Sequence, residues 1–129
     1  FRDDHFLIYL PEREGGSLPR FNGIVGLIDA VHQRGGIVIW AHPFRFGEDW
    51  VEWMDAVDLD GLEIWSSNMD RRTQALAHGV AERKSLLTFC NSDTHELETL
   101  GHYYNEIPDD LCCTLDLIRY VQEWRRGRR

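Results

Sequence analysis

The chain has 129 residues, 43% of them hydrophobic and 28% charged, a balance that suits one globular domain with its own core. Its 22 acidic and 14 basic residues leave a net charge of −8, which argues against a broad nucleic-acid surface. No apolar run approaches the roughly 20 residues that span a bilayer.

Three cysteines, Cys90, Cys112 and Cys113, form no C-x-x-C pair, and an odd count gives no disulfide framework. A reducing cytoplasm fits this usage best. No secretory signal is visible. The first residue is Phe1, so the sequence reads as a piece of something longer. The basic cluster at 125–129 reads as a solvated terminus.

Residues 6–10 form a short apolar run stopped by Pro11, the first expected strand. Residues 12–20 are polar and rich in Gly and Pro, and read as a loop. Asn22 is placed to cap a helix. In that helix Ile24, Leu27, Ile28 and Val31 follow i, i+3, i+4, i+7 spacing. Gly35 and Gly36 end it. Residues 37–40 are a continuous apolar run, a buried strand.

A second helix is expected over 48–57, with Trp50, Val51, Trp53, Met54 and Val57 on its apolar side. Residues 61–65 make the next strand. Asp70 is placed to cap a third helix carrying Ala75, Leu76 and Val80. Residues 86–90 form a fourth strand, and 103–107, closed by Pro108, suggest a fifth. Thr114 is placed to cap a last helix carrying Leu117, Ile118, Val121 and Trp124. Trp40, Trp53 and Ile64 are expected in the core. Strand alternating with helix is the pattern of βαβ units around a parallel sheet. Four or five mostly parallel strands make an open sheet, not a closed eight-stranded barrel.

In parallel sheets the ligand site lies beyond the carboxyl ends of the strands. Ala41-His42-Pro43 follows one run, and Asn91-Ser92-Asp93-Thr94-His95 follows another. Asp93 and His95 are two apart, so in extended backbone they share a side. Imidazoles with a carboxylate are ligands for zinc, manganese or iron. Two strand ends that each deliver such residues are harder to explain by structure alone than one histidine would be.

His5, just ahead of the first strand, is a further candidate. Glu63 is a charge inside an apolar strand. It either alternates toward solvent or an ion pair, or faces the site as a base or a support for a ligand. Asn68 could donate to a substrate oxygen. Arg45 and Arg71 could clamp a phosphate, or be solvated. His102 is a weaker candidate. His32 and His78 lie on helices and are read as structural. Trp65 ends a strand on the site face and is the tryptophan placed to meet a substrate. No G-x-S-x-G elbow, G-x-G-x-x-G or Walker loop is present.

Ala41-His42-Pro43 and Ser92-Asp93-Thr94-His95 together resemble motifs of the PHP superfamily, the polymerase and histidinol phosphatase group of metal-dependent phosphoesterases. The Gly61-Leu62-Glu63-Ile64 strand between them, Leu100-Gly101 after them and His5-Phe6-Leu7-Ile8-Tyr9 ahead of them fit the same order. The resemblance implies a distorted (β/α)7 barrel, of which these residues are the C-terminal part. It implies two or three divalent ions, manganese, zinc or iron, that activate water against a phosphoester. His42, Asp93 and His95 would be ligands with His5 a fourth, and Asp93 and His95 would be catalytic.

The family's opening His-x-His, its Asp-His motif and its Gly-x-Glu have no counterpart ahead of these motifs. The substrate implied is a phosphorylated small molecule, nucleotide or short oligonucleotide. Two other readings stand beside this one. One is a non-catalytic remnant acting as a regulatory or partner-binding module. The other is an amidohydrolase-like metal-dependent hydrolase. Sheet edges left open by an incomplete barrel invite self-association.

Overall fold

The computed structural model describes residues 4–11, 18, 20–47 and 53–127. Strand β1 is His5–Tyr9, helix α1 Gly23–Gln33, strand β2 Ile37–Ala41 and helix α2 Trp53–Ala56. Strand β3 is Gly61–Trp65, helix α3 Arg71–Lys84, strand β4 Leu87–Cys90 and helix α4 Thr114–Arg126. A 3₁₀ turn, Leu97–Thr99, lies between the last two. Among the described residues the architecture is mixed α/β around one four-stranded sheet, in the order β1-β2-β3-β4. Among the described residues the sheet does not close into a barrel. No helix of the described residues is long and apolar enough to cross a membrane.

β2, β3 and β4 are parallel neighbours, as the alternation of strand and helix requires. β1 departs from the expected direction: it runs antiparallel to β2, with His5 opposite Ala41 and Tyr9 opposite Ile37. The consequence is positional. The first residue of β1 lies at the same end of the sheet as the last residue of β2. A parallel β1 would have put His5 at the opposite end.

Period-2 alternation divides the sheet into two faces. Val38, Trp40, Leu62 and Ile64 pack with α1, α2 and α3 in the main core. Ile37, Ile39 and Phe89 pack on the other face against Ile118 and Val121 of α4. Trp40 and Ile64 are buried as expected. Trp53 is only half-buried, because its indole lies at the margin of the core, edge-on to Trp40 and Phe6.

Asp70 caps α3, accepting from the backbone N–H of Arg72 and Thr73. Asn22 occupies the N-cap position of α1, but its side chain makes no capping bond. Thr114 is the first helical residue of α4, not its cap. Cys113 holds that position, and Asp116 reaches back to accept from the Cys112 N–H and the Cys113 thiol. Gly35 ends α1 at φ +72, a left-handed conformation glycine adopts without a Cβ penalty.

The expected loop at 12–17 and 19, the first part of the second helix at 48–52, with Trp50 and Val51, and the terminal Arg128 and Arg129 lie outside the described residues.

No fifth strand forms at 103–107. The segment does reach the free edge of β4, but it bonds there through a side chain. Asn105 Oδ1 accepts from the Cys90 N–H at 2.8 Å, and its Nδ2 donates to the Cys90 carbonyl at 2.9 Å. One amide side chain takes the place of one peptide group, and main-chain pairing goes no further.

Gly61 sits where β3 and β4 press together. A Cβ there would lie 2.5 Å from Phe89 Cε2 and 2.7 Å from the Leu87 carbonyl oxygen. Leu87 is main chain within a strand and cannot swing aside. Gly61→Ala is expected to destabilise the fold by about 1–3 kcal/mol, the usual range for overpacking. An unchanged midpoint in urea unfolding would refute this account of the β3–β4 contact.

The other end of the sheet is tied by a buried carboxylate. Asp60, 1% exposed, accepts from the Val38 N–H at 2.7 Å and pairs with His32 Nε2 at 2.8 Å. It also pairs with Arg125 of α4, which reaches Asp58 as well. Helices on opposite faces are thus pinned to one side chain. The hydrogen bond to Asp60 raises the His32 pKa above its ordinary 6.5, against the opposing effect of burial.

A raised folded-state pKa stabilises fully below the unfolded value and loses that contribution as pH rises through the folded value. The native protein should therefore lose stability relative to His32→Gln on going from about pH 6 to about pH 8. Parallel melting curves for the two proteins across that window would contradict the assignment.

Candidate metal centre

The loops that leave β2 and β4 turn sharply at two of the candidate ligands. His42 has φ 28 and Asp93 has φ 48, both in the left-handed region that non-glycine residues seldom enter. Such conformations persist where surrounding contacts fix them, and they concentrate at functional sites. His42 is buried and follows Ala41 directly. Its Nε2 lies 3.0 Å from His5 Nδ1, one of the two carrying the shared proton, and 3.8 Å from Asp93 Oδ2. Three chain segments, the start of β1 and the loops after β2 and β4, therefore meet at one end of the sheet.

Asp93 is the centre of this group. Asn68 Nδ2 donates to its Oδ2, and Arg45 lies 3.6 Å from the same oxygen. The Arg45 guanidinium also sits 5.0 Å over the Phe46 ring. His95 is 76% exposed, with Nδ1 4.0 Å from Asp93 Oδ1. Its Nδ1 hydrogen-bonds the Asp93 carbonyl oxygen at 2.8 Å. With the proton on Nδ1, the Nε2 lone pair is left free, the arrangement usual for a metal-binding imidazole.

Burial lowers the His42 pKa, partly countered by the Asp93 charge. The neutral form it favours is the form that binds a cation.

Glu63 does not face solvent. It is 2% exposed, its Oε2 accepts from the His42 N–H at 2.6 Å, and its Oε1 accepts from Asn91 Nδ2. Burial pushes its pKa up, while those two hydrogen bonds hold it down. With both oxygens occupied, it is not open to a substrate. Asn91 also accepts from Asn105 Nδ2. Neither asparagine stood out in the sequence, although Asn91 lies two residues before Asp93.

The structure does not bring His102 into the group. It is exposed, and its N–H bonds Thr99 in a local turn. Trp65 is 41% exposed and stacks at a tilt on Tyr103, which Ser92 Oγ holds in place.

The donor chemistry fits a divalent ion. Imidazole nitrogens and a carboxylate are its usual ligand types, and His42 Nε2 lies 3.0 Å from His5 Nδ1 and 3.8 Å from Asp93 Oδ2. Among the described residues, however, no three His, Cys, Asp or Glu side chains are already drawn round one point. Asn68 and Arg45 engage the carboxylate oxygen that an ion would take, and His95 stands outward.

A family model described as PHP-associated matches residues 72–125, which run from α3 through α4. The resemblance to the PHP superfamily is borne out there. A solved structure from Bifidobacterium adolescentis, provisionally described as a metal-dependent phosphoesterase, aligns with 77% of this chain at 26% identity and a TM-score of 0.53. An amidohydrolase from Chromobacterium violaceum, solved with bound sulfate and no metal, aligns with 88% of it at 20% identity and a TM-score of 0.53, a likeness of fold. The chain spans 35% and 41% of the length of those two proteins. No curated protein matches it.

Proposed function

We propose that this chain is the C-terminal part of a PHP-type barrel, and that the intact protein hydrolyses phosphoesters with the help of divalent metal ions. The observation that carries the reading is the meeting of His5, His42 and Asp93 at the carboxyl ends of the parallel strands, with His95 on the same loop as Asp93. His5, His42, Asp93 and His95 are the residues that would hold metal. A bound divalent ion of this kind lowers the pKa of its water toward neutrality and polarises a phosphoryl oxygen.

The rest of the chemistry belongs to the chain. Asn68 and Arg45 orient the Asp93 carboxylate, and Arg45 brings a cation to the place where a phosphate dianion would sit. Glu63 holds the His42 main chain. The substrate class proposed is a phosphorylated small molecule, nucleotide or short oligonucleotide, and the compartment a reducing cytoplasm.

The test uses the intact protein, stripped with a chelator and reloaded with Mn²⁺ or Zn²⁺. Phosphate release from a generic phosphomonoester or phosphodiester should appear with metal and vanish with chelator. Metal-dependent turnover of amides alone would favour the amidohydrolase reading, and turnover of neither would favour a non-catalytic module.

A further inference from the structure

Glu63 is a carboxylate inside a strand that is otherwise apolar, and it is buried there. Such a group is costly to bury unless hydrogen bonds compensate. Here both oxygens are used, and each reaches a different strand end. Oε2 takes the His42 N–H just past β2, and Oε1 takes Asn91 just past β4. Asn91 continues the chain to Asn105, which clasps the Cys90 main chain. His42, the residue held at φ 28, donates one of these bonds from its own backbone.

We infer that Glu63 is a positioning residue: it locks the ends of β2, β3 and β4 together and fixes the His42 backbone so that the imidazole meets His5 and Asp93. Resting on the reading of this end as a metal centre, the role requires acceptors facing both donors and does not require Glu63 to touch metal or substrate. Acceptor placement separates it from a carboxylate that acts by its charge.

In Glu63→Gln the side chain can still accept from His42, but its own N–H₂ then faces Asn91. Asn91 can flip to accept it, and that flip sets its N–H₂ against the N–H₂ of Asn105. Adding Asn91→Asp restores an acceptor toward both partners, with the carboxylate now one position along the chain of bonds.

The experiment compares the intact wild-type protein, Glu63→Gln and the double variant Glu63→Gln/Asn91→Asp. Two readouts are taken: affinity for Co²⁺ from its visible absorption, and the NMR shift of the His42 amide proton in metal-free protein. Glu63→Gln should weaken Co²⁺ binding about 10–100-fold, the range seen when a ligand loses its support. The His42 proton should move upfield as its bond to a carboxylate becomes a bond to an amide. The double variant should recover Co²⁺ affinity to within about threefold of wild type.

Unchanged Co²⁺ affinity in Glu63→Gln would overturn the proposal, and so would a loss that the double variant leaves unrepaired, since that marks a carboxylate acting directly. A wild-type protein that takes up no Co²⁺ would sink the metal-centre reading instead. The His42 proton would then decide the positioning role alone: a shift supports it, and an unmoved signal ends it.

Discussion

Asp93→Asn in the metal-loaded intact protein is expected to lower phosphoester turnover by more than about 100-fold, beyond the cost of losing a supporting partner. The reason lies in how much converges on one side chain. Asp93 is approached by His42 at 3.8 Å, Arg45 at 3.6 Å and His95 at 4.0 Å, and it accepts from Asn68. An amide is a poorer ligand than a carboxylate and brings no negative charge to offset a dication. Its N–H₂ would also face the Asn68 donor or the Arg45 guanidinium. Steady-state phosphate release, with metal content measured on the same samples, checks the prediction. Full turnover in a variant that still carries its metal would remove Asp93 from the centre.

Trp40→Ala is expected to cost about 3–5 kcal/mol in unfolding free energy. Trp40 is 2% exposed, at the middle of the main core, with its ring 5.2 Å from Phe44 and 5.0 Å from Trp53. Removing it opens a cavity that strands on either side cannot close. Trp40→Phe should behave differently. The indole N–H is buried and finds no acceptor among the described residues. Losing it returns part of the desolvation cost and offsets the lost volume, so this variant should stay within about 1 kcal/mol of wild type. Urea unfolding of the two variants separates burial from polar strain. Similar losses in both would show that the N–H finds a partner in solution.

The parts of this fold that rest on local periodicity are visible in the sequence. Residues 37–40 and 61–65 are apolar and bounded by turn residues, and both are strands. The stripe on α1 and the Asp70 cap of α3 are where spacing places them. The direction of β1 is not local information. Whether a strand runs with or against its neighbour depends on how 10–36 is routed, and the Phe6–Tyr9 pattern is the same either way.

The segment 103–107 misleads because Tyr and Ile favour extended backbone, while the contact that matters there is made by Asn105. Thr114 and Cys113 differ by one position, the ordinary uncertainty of a helix start. In the site, His42 and Asp93 stand out because they follow strands. Glu63 stands out as a charge in an apolar run, yet its partners do not, since they lie 21 and 28 residues away.

The Asn105 clasp also sets a limit on how this sheet can grow. An exposed strand edge is a template for another strand, from the same chain or a different one. At the end of β4 nearest Asp93 that template is already filled, because the Cys90 N–H and carbonyl are both taken by one amide. An incoming strand would have to expel Asn105, and with it a bond to Asn91, before it could extend past Phe89. Growth is left to the stretch nearer Leu87, away from the histidines. The amide works as a stopper: it lets the sheet be joined along its side while keeping the mouth above the strand ends clear.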